Sequence, residues 1–294
     1  MTSKIRGKNL TSKETARILG VSEASIKRWA DGGLLPMIKT AGGHRRFLPE
    51  DVALFQRAGL SRKIGSGEMP QGANAVETKL LEANDAALID EMFDALVDGG
   101  VEQVSSLLIN LVLRGQSIAG IADYVLCPAM RKIGDYWQQG KLSVAEEHVA
   151  SRAVMAALER LRSLSGAPLM PEKLAICCSA ENDFHEFPIQ IANLILENKG
   201  WKVVNLGAST PFYALNEAVE RFRPRLVCVA STVLVDLDRA AREFNDFRRT
   251  ARRLNVSIVL GGAGFSGKVG QRFESDLYAG RFEELESFAA ALAN

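Results

Sequence analysis

Only three of the 294 residues are histidine, His44, His148 and His185, and each lies among residues whose types could do chemistry. His185 sits in the run Glu181-Asn182-Asp183-Phe184-His185-Glu186-Phe187-Pro188, directly after an apolar stretch, Leu174–Cys178. An imidazole in a loop at the end of a parallel strand could ligate a metal ion. Asp183, two residues earlier, would then hydrogen-bond the distal ring nitrogen and fix its tautomer. An isolated Asp-x-His says little. Ser231-Thr232-Val233 and Gly261-Gly262-Ala263-Gly264 each follow another apolar run, so all three segments would meet at one sheet edge. Further up the chain, Trp137 precedes Glu147-His148 with nine residues between. By itself such a Trp is ordinarily core and such a Glu-His pair ordinarily surface. His44 belongs to Lys39–Phe47, where Gly42-Gly43 is flanked by cations, a turn suited to lie against phosphates.

These residues need elements to hold them. Thr11 to Glu14 is a capping-box pattern that opens a helix ending at Gly20, and Ser22 caps a second helix running to about Ala30. Two short helices across a tight glycine turn predict a helix-turn-helix. Its second helix enters the groove and presents Ser25, Lys27 and Arg28, while His44, Arg45 and Arg46 line a strand–turn–strand wing. Trp29 and Phe47 are expected in the core of this head, and Pro49 begins a third helix. Residues 1–63 carry 13 Lys/Arg against 5 Asp/Glu, so the remainder of a chain of net charge +1 carries −7. A basic first fifth on an acidic remainder is the asymmetry of a nucleic-acid-binding head.

The head spans 1–60, and a small, polar, breaker-rich linker, Gly65–Gly72 at its centre, spans 61–75. From 76 to 166 apolar residues recur at helical spacing, which predicts a four-helix bundle. From 172 to 294 the apolar runs Leu174–Cys178, Lys202–Leu206, Leu226–Val229 and Ser257–Leu260, with a weaker fifth at Leu277–Tyr278, alternate with helices near 188–199, 211–222, 236–253 and 282–292. That alternation predicts a mostly parallel, flavodoxin-like (Rossmann-type) sheet with ligands beyond its strand C-termini. The fold class is therefore multidomain, α and α/β. No apolar run approaches a membrane span and the start has no apolar signal segment, so no membrane is expected as a partner and the compartment is the cytoplasm. The four cysteines lack metal-ligand spacing, which excludes a zinc ribbon and a disulfide scaffold.

Gly42-Gly43-His44-Arg45-Arg46-Phe47 resembles the wing of the MerR family of transcription regulators, a resemblance covering about Leu10 to Phe55. The Asp183/His185, Ser231/Val233 and Gly261/Gly262 set resembles the cobalamin-binding fold of methionine synthase and methylmalonyl-CoA mutase. That resemblance implies His185 as the lower cobalt ligand, Asp183 behind it, and Ser231, Val233, Gly261 and Gly262 along the channel for the nucleotide tail. Trp-x9-Glu-His, with the order head, bundle, sheet, is similar to the CarH-type B12-dependent photoreceptor repressors. There Trp137, Val144, Glu147 and His148 would surround the adenosyl group, the aromatic as stacking platform and the carboxylate as acceptor for ribose hydroxyls.

The resemblance implies a non-enzymatic, probable-repressor type of regulator that binds operator DNA. It would hold adenosylcobalamin or another cobalamin between cap and sheet domain, and form a homo-oligomer, a dimer or tetramer, controlled by that cofactor and by light. Three positions depart from the pattern. Pro188 stands where the motif has Gly, Val233 where it has Leu, and Gln138 where photoreceptor members have a His that takes cobalt after photolysis. A Gly permits close approach and a Pro does not, so Pro188 is expected to stiffen the loop under the corrin. Two other readings stay open at this point, a cofactor-free interaction module acting through another regulator and a corrinoid methyl carrier.

Overall fold

The computed structural model describes residues 9–64, 86–165 and 173–293. Most of the 61–75 linker and the first ten residues of the expected bundle fall outside them. The described residues form two compact units, one of residues 1–117 and 124–164, the other of 118–123 and 165–294.

In the first unit, β1 (Leu10–Thr11) leads into α1 (Ser12–Leu19) and α2 (Glu23–Asp31). Thr11 caps α1 with Glu14 closing the box, Gly20 ends it in the left-handed conformation, and Ser22 caps α2. β2 (Ile38–Lys39), β3 (Arg45–Phe47) and α3 (Pro49–Ile64) complete the head, whose small sheet runs β1-β3-β2. Leu10, Ile26, Leu35, Phe47 and Val52 form its core, with Trp29 packed against it. β1 carries no signal in the residue order. Two residues show no period, and Leu10–Thr11 becomes a strand only because β3 lies beside it.

Among the described residues the bundle has four helical segments. α4 (Ala86–Val97) and α5 (Val101–Leu113) bury Met92, Leu96, Val104 and Leu108 at helical spacing. α6 (Ile118–Ile121) continues through a π-helical turn, Ala122–Leu126, into α7 (Cys127–Gln138), and α8 (Val144–Ser165) is the fourth. The π turn has a local cause. Pro128 in the first turn of α7 brings no N–H and its ring crowds the carbonyl four residues back, so the preceding turn widens.

Residues 118–123 of that long helix fold with the second unit. That unit is a five-stranded parallel sheet of β4 (Lys173–Ala180), β5 (Trp201–Thr210), β6 (Leu226–Ala230), β7 (Ser257–Gly261) and β8 (Leu277–Ala279), in the order β5-β4-β6-β7-β8. This is the flavodoxin-like order expected from the alternating runs. α9 (Phe187–Asn198), α10 (Phe212–Phe222), α11 (Leu237–Arg253), the short α12 (Gly267–Gly270) and α13 (Phe282–Ala293) connect and close it. Ala175, Cys177 and Cys228 face the core shared with α9 and α13, whereas Ile176, Cys178 and Val229 face a second core that includes Phe212, Phe244, Phe247 and Phe273. Strands covered on both faces read as continuous apolar runs, which is why they were legible. No helix among the described residues is long and apolar enough to cross a membrane.

Asp123, just inside the π turn, accepts hydrogen bonds from the N–H groups of Phe282 (2.9 Å) and Glu283 (3.0 Å) and so caps α13. Burial raises its carboxyl above the ordinary value, opposed by those two bonds and by Arg281. Asp123→Ala leaves two helix-terminal donors without acceptor and should cost about 1–2 kcal/mol of stability. Urea unfolding followed by circular dichroism measures it, and a midpoint equal to wild type would refute the cap.

Candidate functional site

The loop between β4 and α9 is organised around a buried carboxylate. Asp183 has a side chain only 1% exposed, and it accepts three N–H groups. Oδ1 takes the backbone N–H of His185 (2.9 Å) and the ring Nδ1–H of the same residue (2.6 Å), and Oδ2 takes the backbone N–H of Thr232. A carboxylate so enclosed survives burial only with its acceptors filled. Because Nδ1 must then be the donor, His185 carries its lone pair on Nε2. Its side chain is 65% exposed, so that nitrogen is presented outward at the C-terminal edge of the sheet. Ser179 Oγ donates to the His185 carbonyl (2.9 Å) and Ser209 N–H to the Asp183 carbonyl (3.0 Å), which hold the loop from its own strand β4 and from the neighbouring β5.

Ser231, beyond β6, is buried and fully engaged. Its N–H donates to the Gly261 carbonyl, its Oγ to the Val233 carbonyl, and its own carbonyl accepts from Gly264 N–H (2.8 Å). The glycines make this possible. A Cβ on Gly262, whose φ is +93°, would lie 2.3 Å from the Ser231 carbonyl oxygen, and one on Gly264 would lie 2.4 Å from Ser231 Oγ. Ser231, Gly261 and Gly262 thus lie where the sequence analysis put them, at the edge shared with His185. Val233 is 52% exposed beside them, and so are Phe184 (75%) and Val235 (56%). Pro188 is not in the loop. It occupies the first turn of α9, where a missing N–H costs nothing, so it leaves the approach to His185 open.

In the first unit, Trp137 is the penultimate residue of α7 and half-exposed, and Gln138 beside it is exposed. Gly140, with φ +69°, turns the chain back into α8. Ser143 and Glu146 cap α8 reciprocally, and the two Ser143 hydrogen bonds lower the Glu146 carboxyl below its ordinary value. The Ser-x-x-Glu spacing of Ser143 and Glu146 is the sequence signal of this capping box. It places Val144, Glu147, His148 and Val149 on the exposed first turns of α8. Glu147 Oε1 accepts from Ser151 Oγ (2.7 Å) and Oε2 lies 3.6 Å from His148 Nε2, so the carboxylate is held and not swinging free.

In the head, Lys27 and Arg28 are exposed on α2, and Ser25 shares the cap with Ser22, their hydroxyls 3.1 Å apart. His44 is exposed at the wing, whose turn is closed by Thr40 N–H to the His44 carbonyl (2.9 Å). Arg45 grips Asp31 with both carboxylate oxygens, at 2.7 and 2.9 Å, and so fastens the wing to the end of α2. Arg46 Nη1 donates to the Arg45 carbonyl and is half-buried.

Among the described residues no three His, Cys, Asp or Glu side chains converge on a metal position. A single outward imidazole suits a metal whose other positions are filled by its own macrocycle. The exposed Phe184, Val233 and Val235 around it suit an apolar, planar ring, and the glycine-tight turn at Ser231 keeps backbone low at that edge. The residues present therefore fit a corrinoid. Residues 10–59 match the model of a helix-turn-helix domain, and residues 88–162 that of a B12 binding domain. The chain thus joins a helix-turn-helix domain, the head, to a B12 binding domain, whose matched residues are those of the helical bundle; the parallel sheet follows them in the chain. Two proteins of Myxococcus xanthus are similar to it along most of their length. The HTH-type transcriptional repressor CarA is 28% identical over 261 residues, covering 87% of each chain, and the HTH-type transcriptional repressor CarH is 28% identical over 263 residues, covering 84% of each. The solved monomethylamine corrinoid protein of Methanosarcina barkeri shares the fold, with a TM-score of 0.58 and 21% identity over 71% of this chain and all of that one.

Gly262→Ala tests the turn around Ser231. It combines an unfavourable left-handed φ with a Cβ 2.3 Å from a carbonyl oxygen, well short of carbon–oxygen contact distance, and should destabilise by about 2–4 kcal/mol. Denaturant unfolding reads this, and a loss below about 0.5 kcal/mol would mean the turn is not as tight as described.

Proposed function

We propose that the chain is a cobalamin-dependent, DNA-binding transcription regulator of the repressor type, not an enzyme. The observation that carries this reading is the imidazole of His185, oriented by a buried Asp183 so that Nε2 faces outward, on the same chain as a winged helix-turn-helix. A methyl carrier has no use for the basic head. An interaction module without cofactor has no need of a buried carboxylate whose effect is to set one imidazole tautomer. The similarity to two bacterial repressors supports the same choice.

In this reading the second unit offers His185 to cobalt, with Asp183 holding the ring as lower ligand and Phe184 and Val233 meeting the corrin's apolar surface. The first unit offers Trp137 as a platform for an adenosyl group, with Glu147 accepting from its ribose hydroxyls and Val144 and His148 beside it. Adenosylcobalamin supplies a cobalt–carbon bond that visible light breaks. A ligand bound more tightly by an assembled form shifts the population to that form, so the cofactor sets the homo-oligomer that presents the heads to an operator. On DNA, Arg28 and Lys27 meet the groove and Arg46 and His44 the phosphates. Arg45 acts by holding the wing in place through Asp31.

Binding is tested by incubating the purified protein with adenosylcobalamin in the dark and recording its spectrum after gel filtration. Wild type should stay coloured with a histidine-ligated spectrum, and His185→Ala should lose that spectrum and at least about tenfold in affinity. An unchanged spectrum in His185→Ala would remove the ligand assignment.

Gln138 sets the expectation for light. A carboxamide is a poor cobalt ligand, so the illuminated protein gains no imidazole at that position. With cobalamin bound, the imidazole that the first unit could still offer would be that of His148. Illuminated wild type should release corrinoid faster than Gln138→His, and light scattering should show a less persistent change of mass. A lasting two-imidazole spectrum in illuminated wild type that survives His148→Ala would overturn this assignment.

A further inference from the structure

The edge of the sheet opposite His185 has an electrical character of its own. Residues 221–256 contain nine Arg against four Asp/Glu, although everything after residue 63 sums to −7. The arginines gather where β6 and β7 begin. Arg223 and Arg225 lie between α10 and β6, and Arg248, Arg249, Arg252 and Arg253 lie on the last turns of α11, just before β7. The two groups are neighbours in space, because Ser257 at the start of β7 donates its N–H to the Arg225 carbonyl (3.0 Å) and Arg253 reaches Glu220 at the end of α10 (2.7 Å).

Helix C-termini favour cations, and this accounts for one positive charge at the end of each of α10 and α11. It does not account for six. Three are answered by carboxylates, Arg248 by Glu274, Arg249 by Asp246 and Arg253 by Glu220. Arg223, Arg225 and Arg252 are exposed and make no ion pair with the described residues. Arg252 lines a cleft of about 200 Å³, in which it and Arg248 stand with the neutral side chains of Asn255 and Ser257. Its two acids are already occupied, Glu274 by Arg248 and Asp276 by the Ile258 N–H (2.7 Å). At the other edge charge is largely matched, since Arg239 pairs with Glu181 and lies near Asp236, and Arg272 pairs with Asp238. The sheet domain therefore differs along its strands, with exposed apolar side chains and matched charge at the His185 edge and, at the base, arginines that make no ion pair with the described residues. Like charges held this close raise the energy of the free protein and are relieved by a polyanion.

We infer that this arginine rim is a second phosphate-binding surface, through which the sheet domain itself holds the backbone of duplex DNA. Guanidinium groups flanked by hydroxyl and amide donors are the chemistry that contacts phosphate without reading sequence. The inference rests on the reading of the chain as a DNA-binding protein, and its test separates the two.

The probe is random-sequence duplex DNA, titrated with the full chain at several salt concentrations. The triple variant Arg223→Gln, Arg225→Gln, Arg252→Gln should bind at least about tenfold more weakly at low salt, with a log–log salt slope shallower by about 2–3. The corresponding Lys variant should restore the slope, since each phosphate contact needs only a cation. Circular dichroism and the unfolding midpoint should match wild type in both. A triple Gln variant with wild-type affinity and slope overturns the rim while leaving the head intact, provided Arg28→Gln with Arg46→Gln still weakens binding. If neither set of variants weakens binding, the DNA-binding reading itself fails. If wild type retains poly-glutamate and the DNA slope does not change in the triple Gln variant, the rim serves an acidic protein and the inference is wrong.

Discussion

A single buried carboxylate governs the functional edge of this protein. Asp183 lies at the end of β4, out of reach of water, and an ionised group there is tolerated only when hydrogen bonds replace its solvation. The three donors that do so come from two different crossovers, two from His185 in the loop it belongs to and one from Thr232 beyond β6. Satisfying the charge therefore ties the two loops together, and the same act orients the imidazole and decides which ring nitrogen is free. The order of cause matters. The ring is not positioned by packing, since it is largely exposed, but by the electrostatic requirement of the residue behind it.

The neighbouring turn is governed by space instead of charge. Ser231 uses its N–H, hydroxyl and carbonyl within the turn, and the backbone of Gly262 and Gly264 comes so near that no side chain could intervene. A parallel sheet brings such loops together because every strand ends at the same edge. It equally sends the C-termini of α10 and α11 to the opposite edge, where their dipoles favour arginine. One topology thus separates an apolar, imidazole-bearing edge from a cationic one.

The head is held by shorter-range forces. Thr11 and Glu14 close one capping box, Ser22 caps the next helix, and Gly20 supplies the left-handed turn between them. The Arg45–Asp31 pair then joins wing to helix, one guanidinium nitrogen meeting both carboxylate oxygens in a surface contact that contributes more to orientation than to stability.

Much of this was legible from residue order alone. Caps, glycine turns, the 3.6-residue period of the bundle and the apolar runs of the sheet all depend on neighbours along the chain, and so the helix-turn-helix, the four helical segments and the strand order could be read directly. The Asp183–His185 hydrogen bond was also within reach, since two residues in one loop hold each other. Thr232 was not, because its N–H meets Asp183 only through the register in which β6 pairs with β4, Val229 beside Cys178 and Ala230 beside Ser179. Nor could order alone show that Arg45 is paired with Asp31, or that β1 is a strand at all. Asp123 capping a helix that begins at Phe282 lies furthest from any local signal. Each of these depends on distances closed across the fold, where a residue's partner is chosen by packing and burial and not by its position in the chain.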